Sequence, residues 1–207
     1  MNSANDANDV SDMLKLQGFE VHKVIDATKL EMQDAIRRFG NNIREGGVGL
    51  FYYSGHGTQV DGENFLIPVD ANFESKQELT RQCVGVANIL NIMENTNTNN
   101  LNIMILDACR NNSFKSFDRS ANQGMGVVEA PKGSIVAYST APGKTASDGT
   151  GRNGLYTSKL IKYMSIPGMK IEEIFKSVRI EVMKESNERQ VPWESNSLMG
   201  DFYFSKN

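Results

Sequence analysis

Two apolar runs constrain this chain more than any other feature. Leu50-Phe51-Tyr52-Tyr53 leads into Ser54-Gly55-His56-Gly57, and Ile103-Met104-Ile105-Leu106 leads into Asp107-Ala108-Cys109-Arg110. Neither run alternates apolar with polar residues, which is the pattern of a strand buried on both faces. Each run stops at a residue able to do chemistry, a histidine in one case and a cysteine in the other. A sheet that holds both strands would set an imidazole beside a thiol, as cysteine-nucleophile catalysis requires.

Around these runs, strands and helices alternate. Residues 4–17 read as a helix with Ala7, Val10 and Leu14 on one face and Gly18 as its stop. Phe19 to Ile25 reads as a strand. Thr28 and Glu31 form a capping-box signature that opens a helix carrying Met32, Ile36, Phe39 and Ile43 at helical spacing. Gly46-Gly47 ends it, and Val48 to Tyr53 is a strand. A turn at Asp61-Gly62 precedes a short strand at Phe65 to Pro68. Residues 85–94 are a helix, 95–100 an Asn/Thr loop, and Leu101 to Leu106 a central strand. Ser134 to Ser139 is another strand, 154–164 and 170–186 are helices, and Leu198 to Phe204 is an edge strand. The least regular stretch, 111–133, reads as a long mobile loop. This alternation predicts an α/β fold with a mostly parallel sheet covered on both faces. Ligands bind such sheets at the carboxyl ends of the strands.

Composition excludes several function classes. A single domain is expected from 207 residues. The 22 Lys+Arg against 25 Asp+Glu leave a net charge of −3, which gives no electrostatic case for nucleic acid or an anionic membrane. No apolar run approaches the ~18 residues of a membrane span. The polar, acidic first residues do not read as a secretory signal, so a cytoplasmic location is expected. Two cysteines do not make a disulfide framework. Cys83 reads as a structural thiol. No Cys/His spacing suggests zinc, so no metal or other cofactor is expected, and no EF-hand loop speaks for calcium dependence.

Cys109 needs a base and His56 is the one histidine at a strand end; His22 reads as solvent-facing. The Cys109 and Gly57 backbone amides are natural donors to an oxyanion. Flanking glycines let the backbone approach a substrate closely.

Tyr52-Tyr53-Ser54-Gly55-His56-Gly57 followed by Leu106-Asp107-Ala108-Cys109-Arg110 resembles the caspase-like cysteine peptidases of clan CD, family C14. Asp107 stands where caspases carry Gln, as in paracaspases, bacterial orthocaspases and metacaspases. Arg110 stands where metacaspases usually carry His, which favours the paracaspase and orthocaspase type. Asn5-Asp6-Ala7-Asn8-Asp9, Phe65 to Asp70, Tyr138 to Gly143 and Pro192 to Ser195 resemble the same group, so the likeness spans nearly the whole chain.

The resemblance implies a three-layer α/β/α sandwich on a six-stranded, mostly parallel sheet. It implies a large-subunit-like part (about 1–112), a mobile loop (about 113–133) and a small-subunit-like part (about 134–207). His56 is then the general base and Cys109 the nucleophile. Caspases proper cut after Asp with basic S1 groups, whereas paracaspases and their relatives cut after Arg, some also after Lys, with acidic ones. The acidic positions here are Asp6, Asp107 and Asp148. Taken singly, Asp6 and Asp9 also read as first-turn helix carboxylates, Asp148 as a turn residue and Asp107 as a loop holder. Trp193 reads as a core or groove aromatic.

Expected partners are protein or peptide substrates with a basic P1 residue, and the assembly is a monomer or a homodimer. Self-processing at Lys115, Arg119 or Lys132 would make the chain a zymogen. The competing readings are a catalytically silent interaction or dimerisation module using the last strand, and a clan member with another P1 choice. One departure stands out. The family places a buried central strand ahead of the Asn5 to Asp9 segment, and no such strand lies between Met1 and Asn5.

Overall fold

A computed structural model describes residues 2–99, 101–109, 125–141 and 151–205, with Cys109 described by its backbone. The chain opens with helix α1 (Ser3–Leu16), followed by α2 (Lys29–Asn42) and one 3-10 turn (Ile43–Glu45). Strands β1 (Val48–Val60) and β2 (Glu63–Ile67) form a hairpin. Helix α3 (Lys76–Gln82), the two-residue strand β3 (Val84–Gly85) and α4 (Val86–Thr96) precede β4 (Leu101–Cys109). Then come β5 (Ser134–Tyr138), α5 (Leu155–Met164), α6 (Ile171–Glu185) and β6 (Trp193–Asn196).

The sheet order is β3-β2-β1-β4-β5-β6. β1, β4 and β5 are mutually parallel, and β2, β3 and β6 attach antiparallel. The expected α/β sandwich is therefore present on six strands, with a parallel centre and antiparallel flanks rather than a mostly parallel sheet.

β4 shows why the core forms. Ile103, Met104, Ile105 and Leu106 are each at most 1% exposed. Successive strand side chains point to opposite faces. Ile103 and Ile105 pack with α1, α5 and α6, while Met104 and Leu106 pack with α2 and α4. Each such burial contributes roughly 1.5–3 kcal/mol. A third cluster of Val60, Phe65, Phe73, Leu79 and Cys83 fills the hairpin end.

Local signals explain the element ends. Thr28 Oγ1 accepts from the Glu31 amide while a Glu31 carboxylate oxygen accepts from the Thr28 amide, the expected capping box. Ser75 opens α3 by accepting from the Glu78 amide at 3.2 Å, while the Glu78 carboxylate accepts from the Glu74 amide at 2.8 Å. Asp61 and Gly62 both have positive φ, at 50° and 87°, as a two-residue hairpin turn demands. Asn97, in the expected Asn/Thr loop, is buried and donates to Asn102 Oδ1 at 2.8 Å, fastening the end of α4 to the start of β4.

Three expectations are corrected. Residues 19–25 form no strand, because among the described residues no ladder partner stands beside them. The edge strand is Trp193–Asn196, held by backbone pairing to β5. The apolar patch Leu198 to Phe204 makes one bridge, Lys170 to Tyr203, and packs Phe202 and Phe204 against Phe19 and the helical layer. Trp193 is 46% exposed on that edge, so it is not a core residue.

Met104→Ala should lower stability by about 2–5 kcal/mol, because the strand is packed on both faces and the cavity cannot collapse. Urea unfolding with an unchanged m-value checks this. A loss of under ~1 kcal/mol would mean that the β4 core is looser than described.

Candidate active site

The two opening phrases are register partners. β1 and β4 run parallel in continuous register from Val48 opposite Leu101 to His56 opposite Cys109. Neighbouring strands lie about 4.8 Å apart. The backbone alone therefore puts positions 56 and 109 side by side, at the last residue of β4.

β1 does not stop there, as the sequence reading expects. It continues to Val60, and His56 is also the register partner of Ile67 in β2. His56 is thus gripped by ladders on both sides where the parallel sheet gives way to the hairpin. The flanking glycines have a packing reason. A Cβ on Gly55 would lie 2.5 Å from Tyr53 Oη, and one on Gly57 would lie 3.0 Å from Met125 Sδ and 3.1 Å from the Ala108 Cβ. The space left by Gly55 lets the Tyr53 ring reach forward. Its hydroxyl donates to the His56 carbonyl at 2.8 Å and the Ile67 carbonyl at 3.2 Å. Burial pushes that phenol well above its ordinary value, so it stays a donor.

Two carboxylates converge beside this pair. Asp6 in α1 is 3% exposed and Asp107 in β4 is 6% exposed. Gly154, just before α5, lies between them. A Cβ there would sit 3.3 Å from Asp6 Oδ2 and 3.5 Å from Asp107 Oδ2. Asp6 accepts from the Gly154 amide at 2.9 Å and the Ser54 hydroxyl at 3.1 Å. Asp107 Oδ2 accepts from Thr157 Oγ1 at 2.7 Å. Since Thr157 has spent its proton there, the 2.6 Å contact between Thr157 Oγ1 and Tyr52 Oη is donated by Tyr52. Burial and the nearby Asp107 charge hold the Tyr52 phenol well above its ordinary value.

Opposing effects act on Asp6. Burial raises its pKa; the Gly154, Asn153 and Ser54 donors lower it; burial wins. Those three donors are uncharged. Asp9 differs: Arg152 binds it through Nε and Nη2, both at 2.9 Å, and this pairing, chiefly its hydrogen bond, lowers the Asp9 pKa. Asp9 is thereby spent on the segment that carries Gly154. Neither carboxylate caps α1, whose N-cap is Asn2 without a side-chain cap bond.

The chain matches the family model described as "Caspase domain" over residues 1–203. It belongs to the caspase-domain peptidase family. Mucosa-associated lymphoid tissue lymphoma translocation protein 1 of Homo sapiens is 36% identical over 105 residues, covering 51% of this chain and 12% of that protein. Its Mus musculus homolog matches with the same identity and shares. The chain thus spans a small part of the length of these relatives.

Of the residues expected from caspase-domain resemblance, the structure brings together positions 56 and 109 by register, and Asp6 and Asp107 around Gly154. Asp148 and Arg110 lie outside the described residues. Cys83 is buried, and burial pushes its thiol up to about 12, so it is inert at neutral pH. His22 is exposed beside Glu20 at 3.2 Å, though not in a strand. Among the described residues no cluster of His, Cys, Asp and Glu could hold a metal ion, and no helix is long and apolar enough to cross a membrane. Sequence reasoning missed Tyr52, Ser54, Gly154 and Thr157. The signal for Gly154 was a glycine immediately before an apolar helix start. Thr157 carried none, being a buried hydroxyl on a helix.

Asp6 gives a pH prediction. Its folded pKa is raised, so its contribution to stability is greatest at acid pH and is lost as pH rises from about 4 through the raised value. At pH 7 the buried charge is a cost, so Asp6→Asn should melt at or above the parent temperature. That margin should shrink toward pH 4 in thermal scans. A variant that melts lower at pH 7 would instead make the carboxylate a structural anchor.

Proposed function

We propose that this chain is a cysteine endopeptidase that cleaves after Arg, and in some substrates Lys, with Cys109 as nucleophile and His56 as general base. The observation that carries the reading is the in-register pairing of positions 56 and 109 beside two buried carboxylates. His56 takes the Cys109 proton, and the thiolate attacks the scissile carbonyl carbon. The oxyanion receives the Cys109 and Gly57 amides. As the tetrahedral adduct collapses, the C–N bond breaks and the imidazolium returns its proton to the leaving amine. Water, deprotonated by His56, then splits the thioester and releases the acid product and the thiol.

The specificity reading rests on charge. Asp6 and Asp107 sit in a desolvated recess, where an ion pair is less screened than in water. A guanidinium offers a planar fork of donors to such carboxylates, and each charged hydrogen bond contributes about 1.5–3 kcal/mol. Asp148 joins them by resemblance alone. Asp9 is left out, because Arg152 already occupies it bidentately.

Self-processing fits the same specificity. Of the three basic candidates, Lys132 lies in a tight turn in which the Ser134 amide donates to the Pro131 carbonyl at 3.0 Å and the Gly133 amide to Ser197 at 2.8 Å. A protease needs an extended segment, which disfavours Lys132; Lys115 and Arg119 lie outside the described residues and stay as the candidates for the cut.

A fluorogenic peptide amide with Arg at P1 should be turned over by the purified chain and not by Cys109→Ala. Asp107→Asn should lose about 10–100-fold in kcat/KM, the equivalent of one charged hydrogen bond. Correctly folded parent protein without turnover would leave the silent interaction module as the better reading. Mass spectrometry of the parent should find a cut after residue 115 or 119 that is absent from Cys109→Ala; a cut confined to Lys132 would contradict the turn argument.

A further inference from the structure

Both carboxylates of the recess are held from the start of α5. The Gly154 amide donates to Asp6 Oδ1 at 2.9 Å, and the Thr157 hydroxyl donates to Asp107 Oδ2 at 2.7 Å. Gly154 is the N-cap of α5 and Thr157 lies in its first turn, so a single helical turn sets the separation of two acids that come from α1 and β4. The segment that enters this turn is fastened to one face of α1. Asn2 Nδ2 donates to the Gly151 carbonyl, Asn5 Nδ2 to the Arg152 carbonyl and Asn153 Nδ2 to Asp9, each at 3.0 Å. Together with the Arg152–Asp9 pair, these bonds tie residues 151–154 to the helix that carries Asp6. Gly154 therefore has a fixed place between the two acids.

The absence of a side chain there needs a reason. The backbone does not demand glycine, because φ is −56° and ψ is 151°, which any L residue adopts. Capping does not demand it either. Ser, Asp and Asn cap helices better than glycine, and α5 has no side-chain cap bond. The three atoms nearest to a Cβ at this position are Asp6 Oδ2, Asp107 Oδ2 and Asp6 Cγ. A side chain at 154 would thus press on both carboxylates before it met anything else.

Filling that width matters more to one cation than to another. A guanidinium is a planar fork of N–H donors and can reach two carboxylates from different edges of its plane. An ammonium is a compact point charge on a slim stem and can settle against one carboxylate without spanning both. We propose that Gly154 is a specificity-determining residue: the width between Asp6 and Asp107 that its missing Cβ leaves admits the plane of an arginine guanidinium and makes the chain prefer Arg to Lys at P1. This role rests on the proposed cleavage after basic residues, and it adds what chooses between them.

Gly154→Ala and Gly154→Ser test it. Both add the Cβ, but Ser also supplies the missing cap, so Gly154→Ser should melt at or above the parent temperature. Two peptide amides that differ only in Arg or Lys at P1 should give the parent a kcat/KM ratio of about 10 or more in favour of Arg. In both variants the Arg peptide should lose roughly tenfold or more, chiefly through KM, and the Lys peptide less than about threefold, so that the ratio falls toward 1. Alkylation of Cys109 by iodoacetamide should keep its rate, because that reaction does not use the recess. Binding of the same peptides to Cys109→Ala, with and without Gly154→Ser, should show the same selective loss without turnover. A parent that treats Arg and Lys alike would overturn the proposal, as would variants that keep the parent's ratio. Equal losses for both peptides, with a lower Tm and slower alkylation, would make Gly154 a scaffold residue and overturn it too. A parent that neither cleaves nor binds either peptide would overturn the reading of a basic P1 residue together with this role, whereas the other failures strike this role alone.

Discussion

The structure depends on the parallel ladder between β1 and β4. Nine consecutive residue pairs are held in one register, from Val48 and Leu101 to His56 and Cys109. A slip of one residue would turn the side chains of one strand to the opposite face, exchanging Ile103 and Ile105 with Met104 and Leu106 and carrying Asp107 away from the face it shares with Ile103 and Ile105. The apolar residues of β4 forbid that slip, because helices press on both faces. Burial fixes register, and register sets the distance between positions 56 and 109. Fold stability and site geometry are thus one constraint seen at two places along the same strands.

The acidic recess shows the opposite balance. Asp6 and Asp107 are held close together in a region that disfavours charge, and burial outweighs the hydrogen bonds made to Asp6. Gly154 keeps the space between them open, while Thr157 and Tyr52 orient Asp107. A fold selected for stability alone would put an apolar residue at one of these positions. The arrangement makes sense as preorganisation for a cation that arrives with the substrate, which links this electrostatic cost to the proposed specificity.

Much of this was legible in the sequence because it rests on local chemistry. The unbroken apolar run before Asp107 marked a central strand, Thr28 with Glu31 marked a helix start, and Asp61-Gly62 marked a hairpin. α3 goes unread although Ser75 caps it through the Glu78 amide, since seven residues show little periodicity. β6 went unread because Trp193-Glu194-Ser195-Asn196 has no apolar pattern and is a strand only through its ladder to β5. Residues 19–25 have the pattern of a strand but, among the described residues, no neighbour to pair with. The meeting of Asp6 with Asp107 is a tertiary event between residues far apart in the chain, and it was anticipated through family resemblance rather than spacing. Gly55 and Gly57 were assigned to substrate approach, whereas their neighbours show that Tyr53, Ala108 and Met125 fill the space.

The central claim is that a Cys109–His56 pair acts beside a recess built for positive charge. Its most direct test is the ratio of kcat/KM for two otherwise identical peptide amides, one with Arg at P1 and one with citrulline, its uncharged isostere. The account predicts a ratio of at least about 100, as expected for two charge-assisted contacts. It also predicts that the ratio falls toward 1 in Asp6→Asn/Asp107→Asn. Equal turnover of the two peptides by the parent chain would contradict it.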